Sequence, residues 1–336
     1  MTHELKNIIN AYIASIPSGQ KFVLATVVHL EGSSYRRPGV RMLISEDGTV
    51  IGAVSGGCVE KEVLRQAQSV FSNGTGKIMT YDGRYRLGCE GILYILIEPF
   101  APDKVFIEAF HKSLTNRSFI EVTSYFDKEE KESTAFGSVF NFEGKEYSLQ
   151  TDFKQQADVT LFKQKMPPCH QLIIIGAEHD AVQLSTYASI SGWEVTIVAS
   201  PLEEKEITHF TGAQELLTVT PDEFNTDIID PHTAVVLMTH SFVKDLQFLF
   251  ALQHSEPVYL GVLGPARRRE KLLDEFISQH PEVSDVFIDR IYGPAGLHIG
   301  AETPQEIAIS VLAEILSVIR AVEPMKLKDK KGSIHN

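Results

Sequence analysis

The sequence predicts an α/β chain in two parts. One is an N-terminal α+β domain, the other a C-terminal parallel sheet wound with helices. Three observations carry this. From His170 onward, apolar strand-like runs alternate with amphipathic helical stretches, the pattern of a parallel sheet. Before Pro99 the strands come close together and are joined by turn formers. Pro167–Pro168 marks a boundary between the two patterns.

The first segment, "MTHELKNIINAYIAS", places Leu5, Ile8, Ile9, Tyr12, Ile13 and Ile16 at helical spacing. It lacks the basic and continuous apolar regions of a signal peptide. A buried strand is expected over 21–30. The loop "EGSSYRRPG" (31–39) follows, and then two strands joined at Asp47–Gly48, a strong tight-hairpin pair. Residues 58–71 carry apolar side chains at 59, 63, 64, 67, 70 and 71, one face of a helix. "GKIMTYDG" and "ILYILIEPF" read as two more strands, separated by the glycine-rich turn "LGCEG". Together these form a domain over 1–100.

Residues 101–168 read as a linking β-rich segment. "FIEVTSYFD" and "GSVFNFEGKEYSLQ" are its strands, and "DKEEKES" is a solvated charge run. The parallel-sheet domain then spans 169–323, with strands at 171–175, 194–199, 234–240 and 258–264 and a helix at about 179–191. Its last helix is marked by Thr303 at the N-cap, Pro304 at the first turn and Glu306 completing a capping box. The tail, 324–336, is expected to be disordered.

Composition excludes several functions. With 336 residues, 43% hydrophobic and 22% charged, the chain has ample material for a core. A formal net charge of −13 repels phosphate backbones, so no nucleic-acid role is expected. No run approaches the ~18 apolar residues of a membrane span. Three cysteines and no export signal point to free thiols in a reducing cytoplasm.

"IIIGAEHDA" sits where the glycine loop of a Rossmann-type domain belongs. Gly176 and Ala181 fit the outer positions of G-x-G-x-x-A, but the middle glycine is replaced by Glu178. That glycine normally lets the backbone approach a pyrophosphate, and an acidic residue normally ends the second strand to hold the ribose; here that strand ends in Ser200. The fold is therefore expected and NAD(P) binding is doubtful. His179, in the same loop, reads as a capping or surface histidine beside a nucleotide-loop alternative.

The thiols stand in glycine-rich turns. Cys58 follows Gly56 and Gly57 and opens a helix, whose unpaired N–H groups and partial positive charge favour a thiolate. Cys89 lies in the second turn. The bland alternative for both is a small buried hydrophobe; a disulfide is disfavoured by the compartment, and two cysteines do not supply a four-ligand zinc site. Cys169 reads as incidental. Arg36, Arg37 and Arg41, with Ser33 and Ser34, suit a phosphate or another oxyanion, or are merely solvated. "GPARRREK" (264–271) is a second anion candidate at a helix start.

Six segments in this order resemble the XdhC/CoxI family, accessory proteins that mature molybdenum hydroxylases. They are "EGSSYRRPGVRMLISEDGTVIGAVSGGCVE", "LGCEGILYILIEP", "IIIGAEHDA", "TAVVLMTHS", "YLGVLGPARRREKLL" and "GPAGLHIGAETPQEIAISVLAEIL". The resemblance implies an N-terminal XdhC/CoxI domain and a C-terminal Rossmann-type domain. It implies a non-catalytic chaperone that binds the molybdenum cofactor in its molybdopterin form, protects it during sulfuration, and delivers it to a xanthine dehydrogenase-type apoenzyme. A cysteine desulfurase is the other implied partner. Cys58 and Cys89 become candidate molybdenum or sulfur ligands, Gly56 and Gly57 leave room for a flat pterin, and Ser34, Arg36 and Arg37 are placed to hold its phosphate. The chain departs from the family's usual residues at Glu90, Glu178, Ser200 and Ser241. Two rival readings are an NAD(P)-dependent oxidoreductase and a sulfurtransferase–client adaptor that binds no cofactor. The apolar final helix and the edge strands are compatible with a homodimer.

Overall fold

The computed structural model describes residues 1–32, 34, 36–85, 91–150, 153, 155 and 158–331, without the side chains of Cys58 and Tyr85. The chain divides into two compact units, Met1–Pro168 and Cys169–Asn336.

The first unit begins with α1 (Thr2–Ser15), followed by β1 (Phe22–Glu31), β2 (Arg41–Ser45) and β3 (Val50–Gly52). The β2–β3 hairpin turns at Asp47–Gly48. Gly48 has φ +87°, and Asp47 accepts hydrogen bonds from the Ser45 hydroxyl and from the Thr49 N–H at 2.9 Å. This network holds the Asp47 carboxyl well below the usual carboxylate range. Then come α2 (Cys58–Asn73), β4 (Lys77–Asp82) and β5 (Ile92–Pro99), and the five strands form an antiparallel sheet ordered β3-β2-β1-β5-β4.

The segment read from sequence as a linker is built into this unit. It contributes a helix the sequence reading did not name, α3 (Lys104–Thr115), capped by Asp103 accepting from the Phe106 N–H at 2.7 Å. It also supplies β6 (Ile120–Phe126), β7 (Gly137–Phe142), β8 (Lys145–Ser148) and β9 (Thr160–Met166), an antiparallel sheet ordered β8-β7-β6-β9. β9 alternates exposed and covered residues, but its covered face includes the polar Gln164 while the apolar Leu161 is exposed, which hides the strand in the sequence.

Each face of the first sheet has its own core. Val23, Ala25 and Val27 of β1, with Met42, Ile44, Ile95 and Ile97, meet Val59, Val63, Ala67 and Val70 of α2. Each such fully buried side chain contributes roughly 1.5–3 kcal/mol, so α2 is firmly seated. On the other face Phe22, Leu24 and Leu43 meet Leu5, Ile8 and Ile9 of α1, Phe106 and Phe110 of α3, and Val122, Phe140 and Phe142 of the second sheet. The charge run at 127–133 is more than a solvated face. It lies along β4: the Ile78 N–H donates to Lys131 O at 3.0 Å, the Ser133 N–H to Gly76 O at 2.9 Å, and Glu132 sits 3.7 Å from Lys77.

The second unit holds β10 (Gln171–Ile175), α4 (His179–Ile190), β11 (Glu194–Ala199), β12 (Glu215–Thr218) and β13 (Thr233–Leu237). It continues with α5 (Phe242–Leu252), β14 (Tyr259–Val262), α6 (Ala266–Gln279), α7 (Asp285–Asp289), β15 (Ile291–Tyr292) and α8 (Pro304–Arg320). All six strands are parallel, ordered β12-β11-β10-β13-β14-β15. Counting within the unit, that is the doubly wound order 3-2-1-4-5-6. Two short strands, β12 and β15, escaped the sequence reading, and no α-helix follows β11 or β12; a 3₁₀ turn stands there instead. The α8 cap matches its sequence signature: Thr303 accepts from the Glu306 N–H and Glu306 reaches back to the Thr303 N–H at 3.0 Å. The tail carries one 3₁₀ turn, Leu327–Asp329. Among the described residues no helix is long and apolar enough to cross a membrane.

Candidate functional site

Strand register gathers the motif loops at one end of the five-stranded sheet. β1 ends at Glu31, which lies opposite Ile92, the first residue of β5. β2 begins at Arg41, opposite Thr26, and the neighbouring Met42 faces Gly52, the last residue of β3. β4 ends at Asp82, also opposite Ile92. The β1–β2 loop with Ser34, Arg36 and Arg37, the β3–α2 loop with Gly56 and Gly57, and the β4–β5 connection that carries Cys89 in sequence therefore leave the sheet at the same end. Cys89 itself lies outside the described residues.

Cys58 is the first residue of α2, and Gly57 is the N-cap with φ +108°, a conformation that favours glycine. A Cβ added at Gly56 or Gly57 would meet none of the described residues within 4 Å. Among the described residues, both glycines border open space. One feature differs from the sequence expectation. The first turn of α2 carries no side-chain cap, but a carboxylate stands beside it: Glu60 Oε1 accepts from the Ser55 N–H at 2.6 Å and Oε2 from the Gly57 N–H at 2.5 Å. Glu60 satisfies N–H groups that would otherwise be unpaired and brings a negative charge to the loop.

The two loop arginines part company. Arg36 is half-buried, its Nη1 3.9 Å from Glu4 Oε1 of α1, and its buried Nε has no hydrogen-bond partner among the described residues. Arg37 is exposed. Ser34 Oγ accepts from the Arg36 N–H at 3.4 Å, a local turn contact. Arg41, grouped with them in sequence, is buried under the sheet, donating to Gly39 O at 2.9 Å. It is no loop cation. Burial pulls its guanidinium down to about 10, and Glu98, on the same sheet face and fully buried, is pushed up by burial to about 7. Ser138 of the second sheet donates to both Glu98 oxygens, from N–H at 2.8 Å and Oγ at 2.6 Å. Sequence reasoning missed Glu98 because a lone glutamate inside an apolar strand gives no warning of what faces it.

In the second unit, Gly176 follows β10 with φ +137°, and an added Cβ would lie 2.6 Å from Met238 C. The glycine is needed for the close passage of two chain segments. Glu178 is the N-cap of α4 and exposed, as is His179, the first helical residue. A carboxylate therefore stands where a pyrophosphate would face the loop. The following turn at β13 is strained: His240 has φ +56°, and its Nε2 lies 3.4 Å from Asp180. Asp245, almost wholly buried, holds that turn by accepting from Thr239 Oγ1 at 2.6 Å, and it pairs with Arg268 at 2.6 Å. Arg268 comes from "GPARRREK", so one of that segment's cations is already matched internally. Among the described residues no group of three or more His, Cys, Asp or Glu side chains is arranged to hold a metal ion. Cys169 is a buried thiol.

Comparison with known proteins places these features. Residues 15–82 match the XdhC and CoxI family and residues 172–315 match the XdhC Rossmann domain. A Bacillus subtilis protein named as a probable xanthine dehydrogenase subunit is 30% identical over 92% of this chain and 96% of its own length. The chain belongs to the XdhC/CoxI family. Two other relatives frame this XdhC/CoxI protein. The Escherichia coli molybdenum cofactor insertion chaperone PaoD is 24% identical over 95% of this chain and 90% of its own. A crystal structure titled a xanthine dehydrogenase, from Bacillus halodurans, superposes with a TM-score of 0.76 at 28% identity, covering 94% of this chain and 96% of that one.

Proposed function

We propose that this chain is a maturation chaperone. It takes up the molybdenum cofactor as cargo, shelters it while its sulfur ligand is installed, and passes it to a xanthine dehydrogenase-type apoenzyme. The family membership and the PaoD likeness support the maturation role. The observation that carries the choice of site is the convergence of three motif loops at one end of the five-stranded sheet, beside glycines that border open space.

The chemistry of the residues fits such cargo. Thiolates suit a sulfur-loving metal, and Cys58 and Cys89 are the ones offered by the loops. Arg37 is exposed, and its guanidinium suits an anionic phosphate; Arg36, held near Glu4, stands beside it in the same loop. Gly56 and Gly57 let a flat ring approach the backbone. The partners of this reading are a molybdenum hydroxylase apoenzyme and a cysteine desulfurase. The oxidoreductase reading draws no support from the second unit, where Glu178 faces the pyrophosphate position.

The test is molybdenum and pterin content per chain, for wild type and Cys58→Ala, after co-expression in a host that makes the cofactor. Near-stoichiometric cofactor that is lost in the variant supports the reading and puts the thiol at the metal. Cofactor retained by the variant keeps the chaperone but moves Cys58 to sulfur handling or structure. No cofactor in either protein overturns the reading in favour of an adaptor.

A further inference from the structure

The carboxyl edge of the six-stranded sheet carries a crevice that the maturation reading leaves unused. The strand order reverses between β10 and β13, and open α/β sheets bind ligands outside the carboxyl ends of the strands at such a reversal. Here a cavity of about 180 Å³ is lined by Gly176, Ser200, Glu203, Thr220, Thr239 and Lys244, over an apolar floor. A second, wider groove of about 530 Å³ shares Pro221 and Gln247 with it and is flanked by Phe224 and Phe250. The first cavity alone is below the ~300–1,000 Å³ usual for ligand sites; the adjoining groove lies within that range.

We propose that this crevice is a ribonucleoside site in which Glu203 supplies the diol-binding carboxylate that the end of β11 lacks. In sequence, Ser200 stands where an acidic residue would hold a ribose, so the determinant reads as missing. In space it is replaced from three residues further on. Glu203 turns into the crevice, where its Oε1 accepts from Lys244 Nζ of α5 at 2.8 Å. Its Oε2 has no partner among the described residues. A carboxylate with one oxygen pinned and the other open is an oriented acceptor for a cis-diol. Lys244 keeps donors beyond the one given to Glu203, enough for a ribose oxygen or a phosphate. The Gln247 side chain, also without a partner among the described residues, stands where the two cavities meet, and Phe250 offers an aromatic flank for a base.

The same geometry argues against a whole dinucleotide. The exposed Glu178 carboxylate at the start of α4 confronts the position of a bridging pyrophosphate. The site accepts a nucleoside or its monophosphate. This inference stands apart from the chaperone reading, because it concerns the second unit and needs no cofactor loading.

The test is equilibrium dialysis of the full chain, free of cofactor, against the common ribonucleoside 5′-monophosphates, their 2′-deoxy counterparts and NAD. At least one ribonucleotide binds, its deoxy counterpart binds about tenfold or more weakly, and NAD gains nothing over the mononucleotide. Glu203→Gln weakens the ribonucleotide more than the deoxy form and narrows the gap between them to about threefold or less. Equal affinity for ribose and deoxyribose forms in the wild type overturns the proposal, as does absence of ribonucleotide binding up to millimolar concentration. The wild-type comparison decides the matter even where the variant is unstable.

Discussion

Glu60 Oε2 accepts a hydrogen bond from the Gly57 N–H, so a carboxylate closes the helix end at which Cys58 begins. The loop that leads into Cys58 is thus fixed from within the helix. Removing that brace by Glu60→Ala leaves the Ser55 and Gly57 N–H groups without it and costs about 1 kcal/mol, the usual scale for a lost cap. Urea unfolding measures this as a lower midpoint with an unchanged slope. An unchanged midpoint would mean that water serves those groups equally well.

The two glycines before Cys58 separate structure from cargo. Gly57 sits at φ +108°, so Gly57→Ala strains the backbone by about 1–2 kcal/mol. Gly56 has no such backbone and an added methyl there meets none of the described residues, so Gly56→Ala shifts stability by less than ~0.5 kcal/mol. Any drop in bound molybdenum in Gly56→Ala then reports crowding of the cargo. Full molybdenum content in that variant would place the cofactor away from this glycine.

The buried carboxyl of Glu98 makes the first unit sensitive to pH. Its proton affinity is raised in the folded state, from about 4.5 to about 7, chiefly by burial. Between these values the folded chain holds a proton that the unfolded chain has lost, so stability is greatest below the lower one and falls as pH rises through the upper. The shift corresponds to about 3 kcal/mol. Glu98→Gln flattens the dependence, read as urea midpoints of wild type and variant between pH 5 and 8. A wild-type profile with no fall across that interval would show that Arg41 compensates the carboxylate fully.

In the second unit, Asp245→Asn removes the partner of Arg268 and loosens the strained turn at His240. Breaking a largely buried pair by removing one member costs about 3 kcal/mol. Thermal unfolding of the variant measures it. Arg268→Met costs more than Asp245→Asn, because it strands the almost wholly buried Asp245 carboxylate without its counter-charge, whereas the partly exposed Arg268 can turn to water; the reverse order would show that Asp245 acts mainly through the turn at His240.

Much of the fold was legible because its signals are local. The Asp47–Gly48 hairpin, the spacing of Val59, Val63, Ala67 and Val70, and the cap at Thr303 are each decided by neighbours in sequence. The short strands β12 and β15 were not legible, since a few residues at a sheet edge need no strong pattern of their own. The role of 101–168 was hidden for another reason. Phe106, Phe110, Phe140 and Phe142 announce a core, yet only the fold reveals that they share it with Leu5 and Leu24. At the candidate site, glycines and cysteines stood out by type. Glu60, Glu98 and Glu203 did not, because a glutamate reads as surface until its donors are known.

The acidic and basic run beside β4 has a consequence for the isolated molecule. An outermost strand offers unpaired backbone groups to any passing chain. Here Lys131 and Ser133 already engage those of Ile78 and Gly76, and Glu130 accepts from the Thr80 N–H at 2.7 Å. The run therefore works as a fitted guard rail. It keeps this border of the sheet from recruiting a second copy into a fibre, and sends intermolecular contact elsewhere on the surface.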